Sequence, residues 1–231
     1  MHFLVIQHLG IEPPALIGET IESAGHTITA IHLDKGDSLP DSNNFDGFVI
    51  MGGPQSANDE RDYIRIELAW VKEALDTKMP MLGICLGAQI MAKAAGAEVF
   101  KSQFRKLGWH PVYHTIETGN DPLLKVMPDA LPVFQWHGET FSLTDTMTLV
   151  ATHPDVPSQA FRLGKAQYGL QFHVEVDESM IEAWIASGES ERAFLGTKGI
   201  SLLHRESSLY LGSMQNFCRN MVNNWLKEIA P

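Results

Sequence analysis

The chain has 231 residues, of which 44% are apolar and 19% charged, and its formal net charge is −11. This composition is ordinary for a globular protein, and the length suits one large α/β domain with a substantial core. The acidic charge and the lack of a Lys/Arg run argue against a nucleic-acid-binding surface. Cys85 and Cys218 stand far apart without CxxC spacing, so we expect neither a disulfide framework nor a Cys-rich zinc site.

The start of the chain predicts a strand. Residues 3–6 form a short apolar run with no basic region before it, which is typical of a first strand rather than a signal peptide. No apolar stretch approaches the roughly 18 residues that a membrane helix needs. We therefore expect a cytoplasmic protein with no membrane partner.

The first 95 residues alternate between strand and helix patterns. Apolar or alternating runs predict strands at 3–6, 26–33 and 48–51, and helical periodicity predicts helices at 15–24 and 63–76. Residues 34–44 are rich in Asp, Ser, Gly, Pro and Asn, and predict a loop. This order predicts an α/β fold with a mostly parallel sheet and helices on both faces.

The pattern changes after residue 96. Short strand-like runs with turn residues between them predict extra antiparallel strands in the second half, or a small side sheet, at 112–116, 133–136, 148–151, 160–163 and 168–173. Asp177 is placed to cap a helix over 177–186. Residues 188–201 predict an irregular connector, and 208–229 an amphipathic packing helix. We expect a single domain over 1–231, in which 188–231 is the connector and packing helix.

Cys85 follows a short apolar run and precedes a helix-like stretch at 88–95. Strand, sharp turn and helix in this order predict a nucleophile elbow with cysteine as the nucleophile. Gly83 and Gly87 would let the strand and helix approach closely, and the helix N-terminus would favour a thiolate. The alternative is a buried cysteine between two packing glycines in an ordinary turn.

A base and an oxyanion hole can be proposed for such a nucleophile. On a strand, His173 and Glu175 would project from one side, where a carboxylate can orient the imidazole. The amides of Gly53, in a Gly-Gly-Pro turn after the third strand, and Leu86 could together bind an oxyanion. The alternatives are a strand-end histidine with a solvated charge, and a plain turn.

Three segments together resemble the class I (triad) glutamine amidotransferases. They are GGP at 52–54, GICLGAQ at 83–89 and QFHVE at 171–175, and the resemblance spans about 45–176 in the family's order. The segment QWHGETF at 135–141 is similar to that of stand-alone proteins akin to the amidotransferase domain of GMP synthase.

The resemblance implies a flavodoxin-like sheet and hydrolysis of a γ-glutamyl amide through a cysteine thioester, with release of ammonia or an amine. It implies that Cys85 is the nucleophile, His173 the proton carrier and Glu175 its orienting group. Gly53 and Leu86 would form the oxyanion hole, and Gln89 would help to hold the substrate. We expect neither a cofactor nor a metal.

Some residues depart from the family pattern or keep two interpretations. Val174 stands where many members have proline, at little expected chemical cost. Lys106 stands where related sequences often have glutamate, and its charge could change recognition of the substrate's α-amino or α-carboxylate group. His137 is interpreted either as a direct substrate or partner contact or as a structural hydrogen bond.

Several functions stay open. One alternative is a γ-glutamyl peptidase that acts on small γ-glutamyl peptides or conjugates. Another is a non-catalytic or conditionally active subunit of a separate synthetase. Since no phosphate-cradling loop is present to supply ATP chemistry, we expect any enzyme that uses the ammonia to be another chain. The cysteine-elbow peptidase and chaperone superfamily often has histidine directly after the cysteine, and Leu86 disfavours it.

Overall fold

The computed structural model describes residues 1–230, which form nine strands, five α-helices and four short 3-10 helices. The strands are β1 (His2–Gln7), β2 (Thr27–His32), β3 (Gly47–Ile50), β4 (Met81–Ile84), β5 (Val99–His114), β6 (Ala130–Phe141), β7 (Met147–Thr152), β8 (Ala160–Leu163) and β9 (Gln167–Leu170). The helices are α1 (Ala15–Ser23), α2 (Asp62–Asp76), α3 (Leu86–Ala94), α4 (Glu178–Ser187) and α5 (Glu189–Ile229).

The strands form one sheet in the order β2-β1-β3-β4-β9-β8-β7-β5-β6. The first five run parallel, and β8, β7, β5 and β6 continue the sheet with antiparallel pairings. The predicted α/β class, flavodoxin-like with antiparallel additions in the second half, is confirmed. Because parallel strands share an orientation, the ends of β1, β3, β4 and β9 meet at one edge.

The core lies on both faces of the sheet because β1 alternates its side chains between them. Phe3 and Val5 join an apolar cluster with residues of α1, α4 and α5, whereas Leu4 and Ile6 join a second cluster with residues of α2 and α3. Every residue of β3 and of β4 is buried. Strands covered on both faces read as continuous apolar runs, which is why the sequence reveals them.

Two predicted boundaries in the second half are wrong. β5 begins at Val99 rather than at residue 112, because its first part pairs with the end of β6 in a largely exposed ribbon that needs no apolar periodicity. The strand predicted at 168–173 ends at Leu170, so His173 lies beyond it.

The connector predicted at 188–201 is also wrong, because α5 already begins at Glu189. The helix is interrupted only at Gly196, whose φ of 59° and ψ of 178° form a kink. Of the glycines that predict an irregular chain, Gly196 alone interrupts the helix. The predicted segment 188–231 ends at Pro231, which lies outside the described residues. Within residues 1–230, no helix combines the length and apolar character required to cross a bilayer.

Candidate active site

Cys85 occupies the sharp turn between β4 and α3. Its φ of 51° lies in the left-handed region, which non-glycine residues rarely adopt. A Cβ atom on Gly83 would lie 2.7 Å from the Gly87 carbonyl carbon, and one on Gly87 would overlap the Ile50 carbonyl oxygen. The strand–turn–helix arrangement predicted from the sequence is present, and the two glycines permit its close packing.

The Cys85 side chain is nearly enclosed but reaches a cavity. It is 6% exposed and lies at the N-terminus of α3, whose dipole favours an anion there. The Gln171 amide, itself fully buried, donates Nε2–H to Sγ at 3.8 Å. Gln171 belongs to the QFHVE segment, but no sequence pattern indicates that its side chain contacts Cys85.

His173 and Glu175 form a buried pair just beyond the end of β9. His173 Nδ1 lies 2.7 Å from Glu175 Oε1, and the two side chains are 2% and 0% exposed. The contact does not arise from strand alternation, as the sequence predicts, because the chain has left the strand. The His173 amide donates to the Phe134 carbonyl at 2.8 Å, and the imidazole packs edge-on against Trp184 with ring centroids 4.7 Å apart.

Electrostatics around His173 favour its charged form. Burial alone would lower the pKa of His173, but the Glu175 carboxylate and a hydrogen bond with Cys85 outweigh it and hold the pKa well above 6.5. The Val174 amide donates to Glu175 Oε2 at 2.9 Å. A proline at this position could not make that bond, so the departure from the family pattern adds a contact that orients the carboxylate.

Gly53 and Leu86 line the same cavity as Cys85, and a Cβ atom on Gly53 would lie 3.1 Å from Leu86 Cδ2. Among residues 1–230, neither backbone N–H donates a hydrogen bond to a protein acceptor. A Cβ atom on the adjacent Gly52 would lie 3.0 Å from His173 Cε1 and 3.6 Å from Cys85 Cβ. The glycine turn therefore packs directly against the Cys–His pair, with two amide donors free to bind an oxygen atom.

Gln89 is 3% exposed and has its amide engaged by the protein. Its Nε2 donates to Gln171 Oε1 at 3.2 Å and to the Glu139 carbonyl at 3.3 Å. Gln171 in turn contacts Cys85. Gln89 lines the cavity, so it reaches both the cavity and the amide that touches the nucleophile.

His137 also lines the cavity, but protein groups engage both of its ring nitrogens. Nδ1 lies 2.9 Å from the Glu139 carbonyl oxygen and Nε2 lies 2.9 Å from the Gln135 side-chain amide. Burial lowers the pKa of His137 to about 4, so the ring is neutral at physiological pH. These contacts favour the structural interpretation over direct substrate binding.

Lys106 does not line the cavity, contrary to the hypothesis that its charge affects substrate recognition. Its ammonium bonds to Asp155 at 2.5 Å, because alternation along β5 turns it away from the cavity that Arg105 and Leu107 line. Arg105 does line the cavity, and it forms an ion pair with Glu191 at the start of α5. Arg105 and Lys106 are adjacent in sequence, and only the register of β5 decides which of the two side chains faces the cavity.

Glu12 is a further cavity residue that sequence reasoning missed. It lies in the loop between β1 and α1, and its carboxylate packs against Gly52. Burial raises the pKa of Glu12 to about 7, although the positive charge of His173 opposes the shift. No local sequence pattern links residue 12 to residue 173, so only the tertiary structure reveals this carboxyl group.

The cavity has a volume of about 890 Å³. Its walls include two tryptophans, Trp136 and Trp184, and more acidic than basic side chains. The acidic groups are Glu12, Asp59, Glu139, Glu189 and Glu191. The cavity can therefore hold a ligand with both apolar and polar parts beside the nucleophile.

Comparisons with known proteins agree with this geometry. The family model "Glutamine amidotransferase class-I" matches residues 15–185. The chain is 31% identical over 199 residues to the glutamine amidotransferase-like protein YfeJ of Salmonella typhimurium, with 84% of this chain and 82% of YfeJ covered. It is 32% identical over 179 residues to the glutamine-hydrolysing GMP synthase of Porphyromonas gingivalis, which covers 76% of this chain but 33% of the synthase.

Solved structures resemble the whole chain. A glutamine amidotransferase from Thermotoga maritima superposes with a TM-score of 0.89 at 27% identity, covering 100% of this chain and 99% of the other. One from Methylobacillus flagellatus gives 0.90 at 25% identity, covering 98% and 94%. The family match includes the elbow and the His–Glu pair. The chain therefore belongs to the class-I glutamine amidotransferase family, whose general activity is glutaminase-type amide hydrolysis.

Proposed function

We propose that the protein hydrolyses a γ-glutamyl amide through a thioester on Cys85. The observation that carries the proposal is the meeting of the Cys85 elbow with the buried His173–Glu175 pair, 2.7 Å between Nδ1 and Oε1, in one cavity. A nucleophile, a base and a group that orients the base are the parts that covalent amide hydrolysis requires.

Acylation begins when the Cys85 thiolate attacks the γ-carbonyl carbon and the carbonyl electrons move to oxygen. The amides of Gly53 and Leu86 donate to that oxyanion. The C–N bond then breaks, and His173 gives its proton to the leaving nitrogen, so that ammonia or an amine departs. Glu175 stabilises the imidazolium that this step uses.

Deacylation returns the enzyme to its starting state. A water molecule gives a proton to neutral His173 and attacks the thioester carbonyl. Collapse of the second tetrahedral intermediate breaks the C–S bond, releases the γ-carboxyl product and regenerates the Cys85 thiolate beside the imidazolium. Gln89 would contact the substrate from the cavity wall, and its hydrogen bond to Gln171 would hold the amide that contacts Cys85.

A second candidate function is γ-glutamyl peptidase activity on small peptides or conjugates. The cavity volume of about 890 Å³ supports it, since ligand sites for drug-sized molecules are roughly 300–1,000 Å³. A glutamine side chain alone fills little of that space. The aromatic walls at Trp136 and Trp184 suit a larger group on the departing nitrogen.

A separate synthetase subunit is the partner we propose if ammonia is the useful product. The similarity to one third of a GMP synthase supports this, because the matched part of that protein is joined to further chain. In that arrangement the present chain would supply ammonia and the partner would consume it. The small-molecule substrate would still be glutamine.

The test is a screen for amine or ammonia release from glutamine and from γ-glutamyl compounds, with and without a candidate synthetase. We expect Cys85→Ala to lose turnover by about 10³-fold or more, because no other nucleophile replaces the thiolate. Cys218→Ala is the matched control, because Cys218 is fully buried in α5 and should leave turnover unchanged. Peptide mass spectrometry should find the γ-glutamyl adduct on Cys85. Equal turnover in Cys85→Ala would rule out the mechanism.

A further inference from the structure

A buried His–Glu pair lies directly beneath the glycine turn. His8 follows β1, Glu67 lies in α2, and both side chains are 0% exposed. His8 Nε2 lies 3.0 and 2.9 Å from the two carboxylate oxygens of Glu67. Neither residue belongs to the Cys85–His173–Glu175 set.

The other ring nitrogen of His8 bonds to the turn itself. Nδ1 lies 3.1 Å from the Met51 carbonyl oxygen and 3.3 Å from the Gly52 carbonyl oxygen. Carbonyl oxygens only accept, so Nδ1 must carry the hydrogen. Burial alone would lower the pKa of His8, but Glu67 outweighs it and raises the pKa, consistent with an imidazolium that donates from both nitrogens.

Peptide geometry connects this bond to the oxyanion hole. In a trans peptide, the C=O of Gly52 and the N–H of Gly53 belong to one plane and point in opposite directions. A donor that holds the Gly52 carbonyl on the His8 side therefore directs the Gly53 N–H to the other side. Gly53 lines the cavity, and its N–H has no acceptor among residues 1–230.

Packing restricts the same peptide further. A Cβ atom on Gly53 would lie 2.7 Å from His8 Cβ, so the two residues are in close contact. Gln55 Nε2 donates to the His8 carbonyl at 3.0 Å and ties the chain after the turn to the end of β1. Glu67 holds the His8 ring in place from α2, so rotation of the peptide would break the hydrogen bond between His8 Nδ1 and the Gly52 carbonyl.

We propose that His8 and Glu67 are a positioning pair that orients the Gly52–Gly53 peptide, so that the Gly53 N–H points at the developing oxyanion. The positive ring next to the Gly52 carbonyl also polarises that peptide and strengthens its N–H as a donor. The inference rests on the proposed function, because it assigns the Gly53 amide to the oxyanion hole.

The test compares two double variants of the full chain. His8→Leu with Glu67→Met removes the donor without leaving an unpaired buried charge. His8→Asn with Glu67→Gln keeps an amide N–H close to the position of Nδ1. Asp121→Asn is the control, because Asp121 is a buried carboxylate paired with Arg162 and does not line the cavity.

Three quantities are measured on each variant: kcat, KM, and the rate of Cys85 alkylation by iodoacetamide. Alkylation displaces iodide without forming an oxyanion, so its rate reports the reactivity of the Cys85 thiolate and does not depend on the oxyanion hole. Because the amide is misdirected rather than removed, we expect the Leu/Met variant to lose about 10- to 100-fold in kcat, below the full loss of one oxyanion donor. KM and the alkylation rate should stay within about threefold of wild type, and the Asn/Gln variant should recover most of kcat.

Wild-type kcat in a folded Leu/Met variant would overturn the inference, and so would a parallel loss of kcat and alkylation rate. If that variant does not fold, Glu67→Gln decides: we expect a fall of about three- to tenfold in kcat with alkylation unchanged, and a wild-type kcat would count against the pair. Failure of the proposed function is distinguishable, because wild-type protein would then show no Cys85-dependent turnover on any γ-glutamyl compound.

Discussion

Two carboxyl groups, those of Glu12 and Glu175, lie near His173 in different hydrogen-bonding environments. Glu175 accepts hydrogen bonds from His173 and from the Val174 amide, which hold the carboxylate against the imidazole. Among residues 1–230, the Glu12 carboxylate accepts no hydrogen bond from a protein group, and burial raises the pKa of Glu12 to about 7. One carboxylate can thus stabilise the imidazolium while the other holds a proton near neutral pH, within reach of the same cavity.

This difference predicts a pH-dependent stability that belongs to Glu12. Its pKa is about 7 when folded and 4.5 in the reference state, so the folded protein binds more protons between these values. Its contribution is fully present below pH 4.5 and is lost as the pH rises through about 7. Urea unfolding of wild type and Glu12→Gln should therefore show that wild type loses stability relative to the variant from pH 5 to pH 8.

The matched control for this experiment is Glu60→Gln, because Glu60 is exposed. We expect the difference between wild type and that variant to stay nearly constant over the same pH range. A constant difference for Glu12→Gln as well would contradict the environment assigned to Glu12.

The elbow depends on how closely α3 approaches β3 and β4. Gly87 is the first-turn residue at which the helix backbone meets the Ile50 carbonyl. A second helix, α4, is capped by Asp177, whose side chain accepts the Met180 amide at 2.8 Å. That helix brings Trp184 against His173, so α3 and α4 each contribute a wall beside the Cys–His pair.

Substitutions of two helical glycines should therefore have opposite signs. Gly87→Ala forces a methyl group into the Ile50 carbonyl oxygen, and we expect a loss of about 3 kcal/mol in the free energy of unfolding, as for overpacked cores. Gly212→Ala, in α5 with open space around it, should gain about 0.5–1 kcal/mol from helix propensity. Chemical denaturation measures both, and a Gly87→Ala protein as stable as wild type would contradict the close packing of the elbow.

At the scale of the molecule, the net charge of −11 and the acidic side chains of the cavity wall both make the electrostatic potential at the cavity negative. The one arginine of the cavity wall, Arg105, is already paired with Glu191. Field from the remaining carboxylates extends to the cavity mouth and favours ligands of opposite sign. Substrates with a cationic departing amine should therefore enter more readily than those with an anionic one.

This preference should depend on salt. We expect KM for γ-glutamyl conjugates of anionic amines to exceed KM for cationic ones, and the ratio to shrink as ionic strength rises from about 0.01 to 0.15 M, because the Debye length falls from about 30 to about 8 Å. Steady-state kinetics on a matched pair of conjugates measures the ratio. A ratio that does not change with salt would assign the preference to direct contacts instead.

Local patterns were sufficient wherever burial repeats along the chain. The strands β1, β3 and β4 and the helices α1 and α2 follow apolar runs or helical periodicity, because each must cover a shared core. Residues 99–111 form a strand and residues 189–201 a helix that the sequence does not predict, because neither segment has a regular apolar pattern. The first is an exposed ribbon held by pairing with β6, and the second is a helix whose glycines mask its period.

The sequence by itself determined the parallel α/β fold, the family and the identity of Cys85, His173 and Glu175 as candidates, because short motifs and periodicity carry that information. The tertiary structure alone decided which other side chains join them. Gln171 contacts Cys85 across 86 residues of chain, and His8 contacts Glu67 across 59. Glu12 packs against Gly52 from the end of a different strand. No local pattern encodes such contacts, because they depend on how the strands are ordered in space.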